Sequence, residues 1–303
     1  MILLEGGRVF MSKSSLIQSK IRNSLSQARF FFDREGKKTI FIEGDKDHKM
    51  IKPYVNDNIR LEVLDGKPSI LYVEHQYLND KYAKENNYVM LMADIDYDVV
   101  VNNNISDLIN YNVFCRDSGF LFNDLEIFLF NSNSLKKIIS NYGLYESDEY
   151  FQSLKNSIEK VSRFFGKYRA ADEVLKKKLG GNSILNGINI KGYFSVSGNE
   201  INANESEFID QLPLWSNRKE LVEDLLIEAE SLNKKHVDKW SLSNGHDITE
   251  ILSVYLEVNL SMKEKKKINI NRNSLELLLR VACDTQEYIS SPMGGALNKF
   301  CTI

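Results

Sequence analysis

Thr39-Ile40-Phe41-Ile42-Glu43-Gly44 and Val89-Met90-Leu91-Met92-Ala93-Asp94-Ile95-Asp96 decide how this chain is read. Each apolar run is short, bounded by polar residues, and reads as a buried strand. Each also stops at carboxylates. A buried run ending in acids puts negative charge at the edge of a sheet, where an unpaired anion costs several kcal/mol. A divalent cation held between the acids removes that cost, and an oxygen-rich site of this kind suits Mg²⁺ or Mn²⁺.

Around these runs the pattern alternates. Strands are expected at Thr39–Glu43, Ile59–Leu64, Tyr88–Ala93 and Asn112–Cys115, with helices at Asp47–Ile51, Ser69–Lys84 and Ile105–Asn110 between them. Nearly continuous apolar strands alternating with helices imply an α/β fold, a parallel sheet flanked by helices. In such sheets ligands bind beyond the carboxyl ends of the strands, which is where Glu43 and Asp94 fall. Ser14–Phe32 reads as a leading helix. After Leu121 the chain turns mainly helical, at Asn123–Phe130, Ser134–Ser140, Asp148–Leu179, Arg218–His236, Ile248–Asn259 and Ser274–Ile289. Gly166 marks an expected break in the long helix, Gly180-Gly181 its end, and Gly192–Ser197 a strand or hairpin. The expected divisions are an N-terminal helical segment (1–37), a metal-binding α/β domain (38–130) and a helical region (131–303).

Composition narrows the functional classes. The 43% hydrophobic and 27% charged fractions are those of a folded globular protein rather than a disordered one. A net charge of −3 is not the footprint of a protein that coats nucleic acid nonspecifically. Cys115, Cys283 and Cys301 form no CxxC pair, and His is scarce, which argues against a disulfide framework or a structural zinc site. Met1–Phe10 carries Glu5 and lacks a long apolar core, so no signal peptide is expected. No stretch approaches the roughly 18 apolar residues that span a bilayer. A reducing cytoplasm and no membrane partner are the expectation.

Asp94-Ile95-Asp96 is the stronger acidic signal. On an extended backbone the alternation would put both Asp side chains on one face, where two like charges need a proton or a cation. The plain alternative is an acidic solvated turn, and for Glu43 a solvent-facing strand end with Asp45 or Asp47 capping the next helix. Gly44 is expected to allow a tight strand-to-helix turn.

Taken together, a Glu after the first strand and a DxD after a later one resemble the TOPRIM family, the metal-binding catalytic domain of topoisomerases, primases and OLD-type nucleases. The resemblance covers about residues 38–130. Phe41-Ile42-Glu43-Gly44-Asp45-Lys46-Asp47, Asp94-Ile95-Asp96, Asn123-Asp124-Leu125-Glu126 and the tail motif Asn244-Gly245-His246-Asp247 are similar to the bacterial TOPRIM-like family that includes the effector nuclease of the PARIS anti-phage system. The resemblance implies a catalytic set of Glu43, Asp94 and Asp96 and one or two Mg²⁺ or Mn²⁺ ions. Glu126 or Asp124 would serve a second metal, with Asp117 a weaker candidate. It implies phosphodiester hydrolysis, Glu43 as general base or acid, and Lys46 offsetting phosphate charge. Host tRNA is the implied target, an ABC-type ATPase the implied restraining partner, and a homodimer the implied active form.

Asp247 and Glu250 have capping-box spacing ahead of an apolar run, so a structural role is expected for Asp247. His246 carries no assignment beyond a phosphate or partner contact. His48 and His75 read as surface residues on helices. Lys167 with Arg169 and Lys176-Lys177-Lys178 on the long helix, beside Phe165 and Tyr168, form the first-choice nucleic-acid groove; Lys263 and Lys265–Lys267 read as a solvated face. The competing readings are a non-catalytic interaction module, an OLD-type DNA nuclease and, last, a receiver-like phospho-acceptor domain.

Overall fold

The computed structural model describes residues 4–5, 8–9, 13–102, 105–111, 114–115, 120–180 and 182–302. The chain divides into two compact units. The first comprises Met1–Asp94, Ser106–Tyr111 and Met293–Ile303; the second comprises Ile95–Ile105 and Asn112–Pro292.

The first unit is built on a parallel sheet of four strands, β1 (Lys38–Ile42), β2 (Ile59–Val63), β3 (Val89–Ala93) and β4 (Ile109–Tyr111), in the spatial order β2-β1-β3-β4. β1 and β3 are central, buried from Thr39 and from Val89 onward, and β3 is apolar along its length because both faces are covered. Ile40, Phe41, Ile42 and Met92 are fully buried, each contributing about 1.5–3 kcal/mol. Helices α1 (Lys13–Glu35), α2 (Asp45–Ile51), α3 (Lys67–Asn79) and α4 (Lys81–Asn86) flank the sheet, with α1 packed on β1 and α3, and α3 on β3. Asp80 splits the helix expected over Ser69–Lys84: its carboxylate accepts the Ala83 N–H (3.1 Å) and starts α4. Lys38 Nζ donates to the Phe300 carbonyl (3.1 Å), tying the C-terminal helix Pro292–Thr302 to β1.

One assignment is reversed. The helix expected over Ile105–Asn110 is not formed. Its end pairs as strand β4, with Ile109 and Tyr111 buried and Asn110 half-buried in the alternation of a strand. The strand expected at Asn112–Cys115 falls partly outside the described residues; Phe114–Cys115 pairs antiparallel with Phe120–Leu121 instead of joining the main sheet.

The second unit is mainly helical. It contains α5 (Leu125–Asn131), α6 (Asn133–Asn141), α7 (Asp148–Lys178), the hairpin Phe194–Ser197/Glu200–Ala203, α8 (Glu205–Trp215), α9 (Val222–Lys235), α10 (Gly245–Glu264), α11 (Arg272–Ala282) and α12 (Thr285–Ile289). The hairpin turns at Gly198, whose φ of 60° suits glycine. Helices α8 and Pro292–Thr302 were not expected. α7 starts at Ser147, whose hydroxyl accepts the Tyr150 N–H (3.1 Å), and ends before Gly180 at φ 58°. It runs through Gly166 without a break. That glycine serves packing rather than chain reversal: a Cβ there would lie 2.9 Å from the Leu242 carbonyl carbon and closer still to its oxygen. Phe164, Phe165, Tyr168 and Phe208 form an aromatic core with Tyr193 and Trp215. No helix among the described residues is long and apolar enough to cross a membrane.

Candidate functional site

Two groups of acids stand out, one in each unit. In the first unit, β1 and β3 are neighbours from which the chain departs in opposite directions, to β2 on one side and β4 on the other. The gap between their carboxyl ends is therefore the topological switch point, where open α/β sheets bind ligands. Glu43 directly follows β1 and Asp94 directly follows β3. Ile42 pairs with Met92 in register, so the two acids leave adjacent strands at nearly the same height. Glu43 Oε2 accepts the Asp94 N–H (3.2 Å) and Oε1 accepts the Lys67 N–H (3.0 Å). The Lys67 N–H belongs to the first turn of α3, whose dipole favours an anion. Glu43 is thus anchored from two sides.

Gly44 has φ −136°, extended backbone open to any residue, so the tight turn expected from it is not what it provides. It is the N-terminal flanking residue of α2, and neither Asp45 nor Asp47 caps that helix. Asp45 pairs with Lys49 (2.5 Å) one turn on. Lys46 sits half-buried in the first turn of α2, and His75 is exposed on α3.

Asp96 belongs to the second unit, and its backbone is not extended. It lies at φ 50°, in the left-handed region that Asp tolerates better than most residues. The alternation argument for Asp94 and Asp96 therefore fails at Asp96. Its N–H donates to the Asn123 carbonyl (2.7 Å). Asn123 is buried, and its amide nitrogen reaches the carbonyls of Ser241 (2.9 Å) and Ser243 (2.8 Å). The next residue, Asp124, caps α5 by accepting the Ile127 N–H (2.9 Å) and, with its other oxygen, accepts the Gly245 N–H at the start of α10 (2.7 Å). Burial pushes the Asp124 carboxyl well above the usual carboxylate range. The neighbouring Glu126 pushes the same way, against the pull of the two N–H donors.

Glu126, on the first turn of α5, is buried. It meets two residues that sequence reasoning did not assign as ligands. One ligand atom each from Glu126, His246 and Glu276 lies within 4.8 Å of the others. His246 is exposed on the first turn of α10, while Glu276 is buried on α11. Only the tail motif around His246 hinted at this; nothing near Glu276 in the sequence did. Asp117 lies outside the described residues.

No family model matches this chain, and no curated protein does. Its function is therefore read from these two groups of residues.

The residues expected to form a nucleic-acid groove on α7 fall into two settings: Lys167, Arg169 and the aromatic rings are buried or half-buried, while Lys177 and Lys178 are exposed. Phe165 and Tyr168 are 0% and 2% exposed and offer no face to a base. Lys167 is buried and pairs with Glu230 (2.5 Å) over the rings of Phe164 and Tyr168. Arg169 holds Asp247 by two bonds (2.8 and 2.7 Å) and also donates to the Ile188 carbonyl. Lys176 pairs with Glu173 (3.1 Å), Lys178 with Glu228 (2.6 Å), and Lys177 donates to the carbonyls of Val101 and Asn102. Asp247 is structural, as expected, but by a different route: Asn244 caps α10, accepting the His246 (3.0 Å) and Asp247 (3.3 Å) N–H groups. Arg169→Met is expected to cost about 3 kcal/mol, because it leaves the Asp247 charge buried without its partner. Urea denaturation checks this; an unchanged midpoint would remove the structural role.

Proposed function

We propose that this chain is a Mg²⁺- or Mn²⁺-dependent phosphodiester hydrolase of TOPRIM type, centred on Glu43 and Asp94. The observation that carries the reading is their placement together at the carboxyl ends of β1 and β3, the switch point of the sheet. The donor set fits such an ion: hard carboxylate oxygens, half-buried, on backbone fixed by a parallel sheet. When bound, the ion supplies positive charge to a phosphate oxygen and a water of lowered pKa. Glu43, anchored by the Lys67 and Asp94 N–H groups, and Asp94 would hold such an ion, and Glu43 would be the base that takes a proton. Asp96 enters the reading only through its place two residues beyond Asp94.

On the same reading the substrate is RNA, with host tRNA as the target. The protein acts as the toxic effector of an anti-phage system, a homodimer when active, restrained by an ABC-type ATPase. A second reading, a non-catalytic interaction module, draws on the fact that Glu43 already performs an architectural task, joining β1 to β3 and α3.

The test uses the purified chain with total tRNA, single-stranded RNA and duplex DNA, with Mg²⁺, Mn²⁺ or EDTA. Metal-dependent RNA cleavage is expected, and Asp94→Asn is expected to lower it about 100-fold or more. Cleavage of duplex DNA alone would favour the OLD-type alternative. No cleavage with either metal, and no difference between wild type and Asp94→Asn, would favour the interaction module.

A further inference from the structure

The second unit carries a group of ligating residues that the Glu43/Asp94 reading does not use. Helices α5, α10 and α11 pack pairwise against one another, and each contributes one residue to the junction: Glu126, His246 and Glu276. Glu126 and Glu276 are 6% and 1% exposed, so two carboxylates share a dry space. Two carboxylates and an imidazole converging from three helices make a donor set that suits a cation. The imidazole of His246 stands at the exposed side of the pair, where an ion could enter. Asp124, the third acid nearby, is not among the residues whose ligand atoms converge; its two oxygens accept the Ile127 and Gly245 N–H groups.

The junction is also built to hold these residues close. Gly245 lets the start of α10 press against α5: a Cβ there would lie 2.6 Å from Glu126 Cβ and 2.7 Å from Asp124 Cγ. The Asp124 clamp on Gly245 fixes the same approach from the other side. Ligand atoms around an ion with bonds of about 2.1 Å stand about 3.4 Å apart when tetrahedral. The three ligand atoms lie within 4.8 Å of one another, so binding requires them to draw in by no more than about 1.4 Å. Two existing contacts of Glu276 compete for its charge, Thr249 Oγ1 (3.3 Å) and the half-exposed Arg272 (3.5 Å). Arg272 brings a full positive charge to the rim, which a bound ion would share with Glu276.

We propose that Glu126, His246 and Glu276 bind a divalent first-row transition-metal ion, which clamps α5, α10 and α11 together. One imidazole nitrogen with two carboxylates suits Zn²⁺, Co²⁺ or Mn²⁺; Mg²⁺ takes oxygen ligands and is disfavoured here. Three protein ligands leave a position for water. The ion binds the folded unit and not the unfolded chain, so it raises the unfolding temperature in proportion to its saturation.

The test uses the full chain, stripped with EDTA and titrated with Zn²⁺ or Co²⁺ alone. One equivalent is expected to bind, with a Co²⁺ visible absorption band typical of a nitrogen-containing low-coordinate site and a rise of several degrees in melting temperature. His246→Ala, at an exposed position, and the isosteric Glu276→Gln are each expected to weaken binding at least tenfold and to abolish the band. Asp94→Asn is expected to keep both, which separates this site from the hydrolase reading. Absence of a bound equivalent would overturn the proposal. So would binding unaltered in both His246→Ala and Glu276→Gln, or a band lost in Asp94→Asn but kept in His246→Ala.

Discussion

Gly166→Ala is expected to abolish stable folding of the helical unit. An alanine in a helix interior ordinarily stabilises by about 1 kcal/mol over glycine. Here the sign reverses, because the added methyl meets backbone rather than a movable side chain. It would stand 2.9 Å from the Leu242 carbonyl carbon, inside van der Waals contact, and closer to the oxygen. Leu242 cannot retreat cheaply. Its carbonyl accepts the Tyr97 hydroxyl (3.3 Å), and the carbonyls on either side, Ser241 and Ser243, are held by the Asn123 amide (2.9 and 2.8 Å). Burial keeps the Tyr97 hydroxyl protonated far above its usual range, so it is a dependable donor. Moving this loop also disturbs Asn244 and the start of α10, where His246 and the Gly245–Asp124 bond sit.

Overpacking usually costs about 1–3 kcal/mol, and the loss of these bonds adds to it, giving about 5 kcal/mol. That is comparable to the whole stability of many domains. The expected readout is an insoluble product or a melting temperature at least about 10 °C lower. Gly180→Ala is the matched control. Gly180 also departs from ordinary backbone, at φ 58°, but nothing lies within 4 Å of its added methyl, so a loss of about 1 kcal/mol is expected. A Gly166→Ala melting temperature within a few degrees of wild type would refute the packing account.

The contrast between these glycines shows where reading the sequence stops. Gly166 looked like a helix break because propensity is local, whereas its partner lies at residue 242, across the fold. The central strands were legible because Thr39–Ile42 and Val89–Ala93 are buried on both faces and, Thr39 apart, apolar throughout. β4 was not: three residues with Asn110 in the middle carry too little pattern to outweigh a neighbouring helical signal. Glu43 and Asp94 were legible because sheet topology converts strand ends into proximity. Asp96 was misplaced because a left-handed turn leaves no periodic trace. Glu276 was invisible, since its partners are set by how three helices pack and not by any spacing along one of them. In the charged stripe of α7 the pairing of Lys167 with Glu230 and of Arg169 with Asp247 was equally illegible, because both acids come from other elements.

Glu43→Gln is expected to lower the rate of phosphodiester cleavage by about 1,000-fold, within the range for removing a group that both holds charge and moves a proton. The difficulty is that Glu43 has two tasks. Both carboxylate oxygens accept backbone N–H groups, from Lys67 (3.0 Å) and Asp94 (3.2 Å). Glutamine keeps one acceptor and turns an NH₂ group toward the second donor, so one bond is lost and two donors face each other, at a cost of about 1–3 kcal/mol. A fall in activity alone therefore does not distinguish chemistry from a loosened sheet edge. The dependence on Mg²⁺ does. If Glu43 holds the ion, the Mg²⁺ concentration for half-maximal activity rises at least tenfold in Glu43→Gln, and cooling restores nothing. If Glu43 only latches β1 to β3 and α3, activity falls in step with the melting temperature, returns at lower temperature, and keeps the wild-type Mg²⁺ dependence. Glu43→Asp sharpens the comparison: it retains the charge but draws it back by one methylene, away from both N–H donors. The chemical role predicts that Glu43→Asp keeps more activity than Glu43→Gln even when it is the less stable of the two. The reverse order, with stability and activity moving together across the pair, would reduce Glu43 to a latch and leave the hydrolase reading without its base.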